Sequence, residues 1–267
     1  VKLSSVVVNV PHSAASIPTL HTYVSDAWVN DFMSLTDWAT GEMIDVDLVD
    51  HHIAPFNRVW CDVERFDDAD ESRVLDGHGF YYTQDAQGQA YRVLDTPEAQ
   101  EAKAFVYERF YKAYHDSLES LLRLKMLSHE TVTILDLHSF SDEPGLGETY
   151  LPKPDFCLGA DLFHTPPALL HHLLTELTKL GYSVDINHPF EGSFVPRGLY
   201  HREPQVQSVM IEVNKRLYMQ PLGDLASFTK PIPSQVERFC RQFIMPDRLA
   251  ILRLQLTSLV QGLDNAL

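Results

Sequence analysis

The apolar positions of this chain follow two different periods, and their order along the sequence predicts the fold. Val6-Val7-Val8-Asn9-Val10 is a nearly continuous apolar run that empties into Pro11-His12-Ser13. A second run, Thr131-Val132-Thr133-Ile134-Leu135, empties into Asp136-Leu137-His138-Ser139. Short β-branched runs of this kind suit strands buried on both faces. Residues 52–65 read as extended chain with partial alternation, and further strands are expected at 156–158, 182–186 and 205–212.

Helical spacing fills the intervals. Trp28, Phe32, Leu35, Trp38, Met43 and Val46 predict a helix over 28–46, opened by Ser25-Asp26 and weakened by Gly41, since a glycine in a helix interior costs about 1 kcal/mol relative to alanine. A long helix starts at Pro97 with Thr96 as its N-cap and Glu98 in its first turn. Its expected buried face is Val106, Phe110, Ala113, Tyr114, Leu118, Leu121 and Leu122. A helix over 166–180 ends at Gly181, and the tail over 234–260 is helical, broken at Pro246, with Gly262 as its stop. The polar stretch 66–96 reads as a long functional loop with one hairpin turning at Gln87-Gly88, and 142–154 as a Gly/Pro-rich loop. No repeat or linker interrupts the pattern, so one mixed α/β domain over residues 1–267 is expected.

The formal charge of −16 argues against a nucleic-acid partner, because backbone phosphates need clustered lysine and arginine. It leaves room for a small anionic substrate, since a few local arginines override the global field. No apolar stretch approaches the roughly 20 residues that span a bilayer. The three cysteines, Cys61, Cys157 and Cys240, are far apart and form no C-x-x-C unit. They are expected to be reduced, buried thiols in a cytoplasmic protein.

Two histidines at strand ends carry the chemistry. Open α/β sheets place their ligand crevice outside the carboxyl ends of the strands, so His12 and His138 meet in one cleft if both strands are parallel neighbours. Two imidazoles and a carboxylate make an open catalytic zinc site. Position 15 is alanine, so the H-x-x-E pairing is absent; Asp37 in Thr36-Asp37-Trp38 is the first choice of carboxylate, with Glu42 and Asp45 behind it. Asp136, two residues before His138, is placed to orient an imidazole through its distal nitrogen. Arg58 and Arg65 offer forks for a substrate carboxylate. Arg197 and His201, in a turn-rich segment suited to binding, and Ser139, beside His138, are candidates for substrate binding. Glu212 ends the apolar strand 205–212, where a buried carboxylate suits a general base. Neither Ser13 nor Ser139 lies in a G-x-S-x-G elbow, which argues against serine nucleophile chemistry.

Taken in order, these pieces resemble the N-formylglutamate amidohydrolase family. The resemblance runs through Val-Pro-His-Ser at 10–13, Thr-Asp-Trp at 36–38, Asn-Arg…Asp-x-x-Arg-Phe at 57–66, Asp-Leu-His-Ser at 136–139 and Ile-Glu-Val-Asn-Lys-Arg-Leu-Tyr-Met at 211–219. It implies a central mixed sheet covered by helices on both faces, similar to zinc carboxypeptidases and aspartoacylase. The implied reaction is hydrolysis of N-formyl-L-glutamate to formate and glutamate, late in histidine degradation. His12, Asp37 and His138 then match metal ligands, zinc being the expected ion. Arg58 and Arg65 match groups that bind a substrate carboxylate or polarise a carbonyl, and Glu212 matches the catalytic carboxylate. The sequence departs from the family pattern at Glu64, where Asp-x-Asn-Arg is usual, at Ala14, and at 190–193, which lacks paired glycines. Glu64 adds negative charge where an anionic substrate is expected, which opens the choice of another N-acyl amino acid or a small peptide. A non-catalytic protein binding an amino-acid-like ligand in the same cleft is the remaining alternative.

Overall fold

The computed structural model describes residues 4–66, 77–142, 152–222 and 230–266. Six strands, β1 (Val6–Val10), β2 (His51–Ile53), β3 (Val132–Phe140), β4 (Phe156–Gly159), β5 (Val184–Ile186) and β6 (Val206–Asn214), form one sheet in the order β2-β1-β3-β6-β4-β5. β2, β1, β3 and β6 are parallel; β4 runs antiparallel to β6, and β5 follows β4. The helices are α1 (Trp28–Leu35), α2 (Pro97–Val106), α3 (Lys112–Met126), α4 (Pro167–Lys179), α5 (Pro233–Arg241) and α6 (Pro246–Ala266). The sheet is therefore mixed, as expected for this α/β protein.

Side chains alternate across a strand, and here the alternation divides the core into two layers. Val6, Val8, Leu135, Leu137, Val209 and Ile211 point into one layer, against Phe32 of α1, Leu173 of α4 and Leu252 of α6. Val7, Val132, Ile134 and Val206 point into the other, against Leu118 and Leu122 of α3. Helices thus cover both faces. Past the apolar residues of the α3-facing layer, the carboxyl-terminal halves of the central strands carry Asn9, Asp136, His138 and Glu212, all buried. The polar set is tied to its covering helix: Tyr114 of α3 donates to Asn9 Oδ1 at 2.6 Å, and Asn9 Nδ2 donates to Asp136 Oδ1 at 2.8 Å.

Several expected boundaries shift for identifiable reasons. β3 does not stop before His138; it continues through Phe140 with all nine residues buried, so His138 is a strand residue. The helix expected over 28–46 ends at Leu35, where Thr36 turns extended. Its backbone and side chain are captured by tertiary bonds, Lys215 Nζ to Thr36 O at 2.8 Å and Asn57 Nδ2 to Thr36 Oγ1 at 2.8 Å. Ser25 is not the N-cap of α1, a position held by Ala27; its hydroxyl donates to Ala90 O and accepts a long bond from Ala27 N. Of the extended chain expected at 52–65, only His51–Ile53 pairs in the sheet, and the remainder is a turn-rich strap. Thr96 does cap α2, accepting from Ala99 N. Between α2 and α3 the residues Tyr107–Tyr111 form one π turn. That inserted residue rotates the helix face, so Tyr111 is buried while Ala113 is exposed. Gly181 follows α4 with φ +92°, a left-handed stop that glycine adopts without strain. Gly262 stops nothing, because α6 runs through it. The hairpin at Gln87-Gly88 is present as a turn closed by the Gln84–Ala90 bridge, while 67–76 of the expected loop lies outside the described residues, as does most of the 142–154 loop.

Candidate active site

β1 and β3 are parallel neighbours, so His12, just past β1, and His138, near the end of β3, reach the same place. Their Nδ1 atoms lie 3.3 Å apart, and both rings are buried. The distal nitrogens are each held by a carboxylate. His12 Nε2 is 2.9 Å from Asp62 Oδ1, and His138 Nε2 is 3.0 Å from Asp136 Oδ2. A carboxylate accepts, so it favours an N–H at Nε2 and leaves each Nδ1 with a lone pair. Two lone pairs facing each other at this distance repel unless a proton or a metal cation stands between them, and the raised pKa of both imidazoles marks the same demand for positive charge.

Asp37 completes this constellation from the bend that ends α1. Its Oδ2 is 3.2 Å from His138 Nδ1 and 3.7 Å from His12 Nδ1, and Ser139 Oγ donates to Oδ1 at 3.1 Å. Donors placed tetrahedrally about 2.0 Å from one ion are about 3.3 Å apart, so this set of atoms fits a divalent cation. Glu64 is the second carboxylate in reach: His12, Glu64 and His138 form a group whose ligand atoms lie within 4.8 Å of one another. Its Oε2 is 3.2 Å from His138 Nε2 and 4.0 Å from His12 Nδ1.

The charges around the two imidazoles do not cancel. Asp37, Asp62, Glu64, Asp136 and Glu212 surround them, against Arg58, Arg65 and Lys215 as nearby cations. Burial works against a charged His138, yet Glu64, Asp136 and Asp37 together hold its pKa well above the usual histidine range. Burial likewise opposes ionisation of Asp62, but Arg58 and His12 keep its carboxyl well below the usual range. Glu212 has weaker support. It sits beside His138 in the β3–β6 register, its Oε2 is buried without a partner, and burial pushes its pKa up to about 7.

A cleft of about 400 Å³ opens over this cluster. One wall is the strap after β2, turned at Asn57, whose side chain donates to Ala14 O and Thr36 Oγ1. The opposite wall is the 190–195 loop, which packs onto β4 at Gly159, where a side chain would collide with Gly192 O.

The model of the N-formylglutamate amidohydrolase family matches residues 4–219. The chain belongs to the N-formylglutamate amidohydrolase family. The fold agrees: the crystal structure of N-formylglutamate amidohydrolase from Ralstonia eutropha JMP134 is similar with a TM-score of 0.76 at 20% identity, over 100% of this chain and 95% of that one. The product of gene Atu2144 from Agrobacterium tumefaciens is similar with a TM-score of 0.54 at 16% identity, over 93% and 92% of the two chains. No curated protein matches the chain in sequence.

As in the sequence reading of this amidohydrolase family member, His12, Asp37, His138, Arg58, Arg65 and Glu212 converge, and Arg197 joins the cleft lining. Two residues expected to bind substrate sit elsewhere. His201 points away into a pair with Asp161 Oδ2 at 3.1 Å, and its neighbour Tyr200 lines the cleft instead. Ser139 holds Asp37 and does not face the cleft. Arg58 lines the cleft, but its Nε and one terminal nitrogen are bound to Asp62 Oδ2 at 3.1 and 2.8 Å. Asp62 entered the sequence reading only as part of the resemblance at 57–66 and Glu64 only as a departure from it; neither was expected beside an imidazole, and His115 was not singled out at all. Asp62 in particular looks like a surface ion-pair partner four residues after Arg58, and only the fold brings it to His12.

Proposed function

We propose that this chain hydrolyses the amide bond of an N-acyl amino acid, with N-formyl-L-glutamate as the first substrate to try, and that it does so with a bound divalent cation, zinc by preference. The observation that carries the reading is the pair of Nδ1 atoms facing each other at 3.3 Å, each ring fixed from behind by a carboxylate. His12, Asp37 and His138 are the proposed ligands. Asp37 is preferred to Glu64 because its oxygen is near both Nδ1 atoms, whereas Glu64 approaches His138 from the Nε2 side already occupied by Asp136. When bound, such an ion lowers the pKa of its water toward about 7 and polarises the amide carbonyl.

The chain's own residues supply the remainder. Glu212, with a partnerless Oε2 in the cleft, takes the proton from the attacking water and returns it to the leaving nitrogen. The uncommitted N–H groups of Arg58 donate to the oxygen that gains charge, while Asp62 fixes the guanidinium in place. Arg65, whose buried Nε makes no hydrogen bond and lies 3.8 Å from Asp62 Oδ2, takes the substrate carboxylate, with Arg197 at the rim. The three buried, unpaired thiols suit a reducing compartment, and we assign the enzyme to the cytoplasm.

The test is formate release from N-formyl-L-glutamate by zinc-loaded protein, before and after chelation. Release that stops on chelation and returns with zinc is expected. Release that survives complete removal of metal would overturn the metal-dependent reading.

A further inference from the structure

Of the three proposed ligands, Asp37 alone is held far from a strand. His138 is a residue of β3 and His12 follows β1 by two residues, while Asp37 follows α1 by two, in a bend that joins no ladder. A side chain that must present one oxygen to an ion needs its backbone fixed by other means.

The end of α1 supplies those means. A helix ends with four carbonyls that no amide of its own can take, and they carry partial negative charge. In α1 these belong to Phe32, Met33, Ser34 and Leu35, and each accepts from a side chain. Thr36 Oγ1 donates to Phe32 O and Trp38 Nε1 to Met33 O at 2.9 Å, so both neighbours of Asp37 fold back onto the helix. Arg58 Nη1 donates to Leu35 O at 3.3 Å. Lys215 Nζ donates to Ser34 O at 3.4 Å and to Thr36 O at 2.8 Å. Two cations thus close the negative end of α1, one from the strap and one from the turn that follows β6.

The bond to Thr36 O bears most directly on the site. That oxygen and the N–H of Asp37 belong to one planar peptide unit. Lys215 holds its oxygen, and Asp37 N donates to His12 O at 3.1 Å, so the plane is fixed at both ends. Its orientation sets the direction in which the Asp37 side chain leaves the backbone. Ser139 Oγ then holds Oδ1, which leaves Oδ2 toward the two imidazoles. Burial disfavours the charge on Lys215, and Asp37 and Glu212 are the carboxylates that oppose this effect. Lys215 lies outside the described lining of the cleft, so it acts through Asp37 and not on substrate.

Building on the reading of Asp37 as a ligand, we infer that Lys215 is a positioning residue for the ion site. Its ammonium group holds the peptide unit between Thr36 and Asp37 so that Asp37 Oδ2 faces both Nδ1 atoms.

The experiment measures zinc affinity by competition with a chromophoric chelator. Lys215→Met keeps an unbranched stem and removes the ammonium. Affinity should fall about tenfold, the lower end of the worth of outer partners at a metal site. Thermal unfolding of the metal-free proteins reads folding separately. A lower melting temperature with unchanged zinc affinity would make Lys215 a structural residue alone and overturn the proposal. In an Asp37→Asn background the same change should cost no further affinity, because both residues act through one contact. A full further loss there would also overturn it. Should Lys215→Met not fold, Lys215→Gln takes its place with the same outcomes. If the unaltered protein binds no zinc, the metal reading fails on its own. Crystals of metal-free Lys215→Met protein then decide the role of Lys215. Asp37 should have left its 3.2 Å approach to His138 Nδ1, and an unmoved Asp37 would overturn the proposal.

Discussion

The two sides of the cleft are built by different means. One side hangs on the sheet: His138 and Glu212 are register partners on β3 and β6, and Asn9 of β1 backs them through Asp136. The other side, Asn57 to Phe66, joins no ladder; besides two backbone bonds, Asn57 N to Ser16 O and Asp62 N to Phe80 O, it is held by side chains, with His115 and Tyr111 gripping its carbonyls and Asp62 gathering Arg58, Tyr82 and His12. Strand-borne groups inherit the rigidity of the core, which suits atoms that must hold an ion or move a proton within tenths of an ångström. A strap fixed by single hydrogen bonds can exchange residues without disturbing the sheet, which suits the part that reads the substrate. The division predicts that variants on the strand side strike metal retention or turnover, and that strap variants at Arg65 and its supports strike substrate affinity, while Arg58, which the strap carries to the reacting oxygen, strikes turnover.

The largest effect is expected on the strand side. His138→Ala should lose metal retention and lower activity by at least about a thousandfold. Glu212→Gln should keep the metal and lose about 10²–10⁴-fold in kcat, the usual worth of a general base. Metal content by atomic absorption, read beside formate release, separates the two. A His138→Ala protein that still holds one metal per chain would move the ion site away from β3 and break the comparison at its base.

The strand side was largely legible in the sequence; on the strap Arg58 and Arg65 were, but not the bonds that place them. An apolar run that meets Asp136, Leu137 and His138 shows by alternation that the acid and the imidazole share a face, whatever the exact end of β3. Glu212 was legible for the same reason, as a carboxylate on a strand whose neighbours are apolar. The strap offers no period, because its residues are placed by bonds to partners about 20 to 50 positions away in the chain. His115 was hidden more deeply: the spacing of α2 and α3 assigns a buried face for an unbroken helix, and the π turn shifts that phase. His201 is the reverse case, a histidine in a binding-like loop that the fold places outside the cleft lining, stacked on Tyr200 at 4.1 Å and paired with Asp161.

A smaller effect tests what stands behind the metal side. Asp136 accepts from His138 Nε2 and from Asn9 Nδ2, so Asp136→Asn keeps the shape and removes the charge that fixes the imidazole tautomer. Outer partners of this kind are worth 10–100-fold in metal affinity. Zinc affinity by competition with a chromophoric chelator should fall in that range, with the KM of metal-saturated enzyme little changed. A variant with unchanged zinc affinity would mean that Glu64, also near Nε2 at 3.2 Å, has taken over the orienting role.

The smallest effect belongs to the strap and is the sharpest test of the division. Tyr111→Phe removes one hydroxyl and leaves the ring packed against Phe80, Tyr107 and His115. The bond lost is the one to Arg65 O, whose side chain carries the proposed carboxylate contact. One neutral hydrogen bond is worth about 1 kcal/mol, or about fivefold in an equilibrium constant. KM should therefore rise about fivefold, with kcat and zinc content held, because neither His138 nor Glu212 depends on this hydroxyl. If kcat falls with KM, or zinc is lost, the strap transmits its position to the ion site through Asp62 and His12, and the two sides are one mechanical unit. Unchanged KM would place the grip on the strap with His115 and the bonds of Asp62, and would make Tyr111 a packing residue alone.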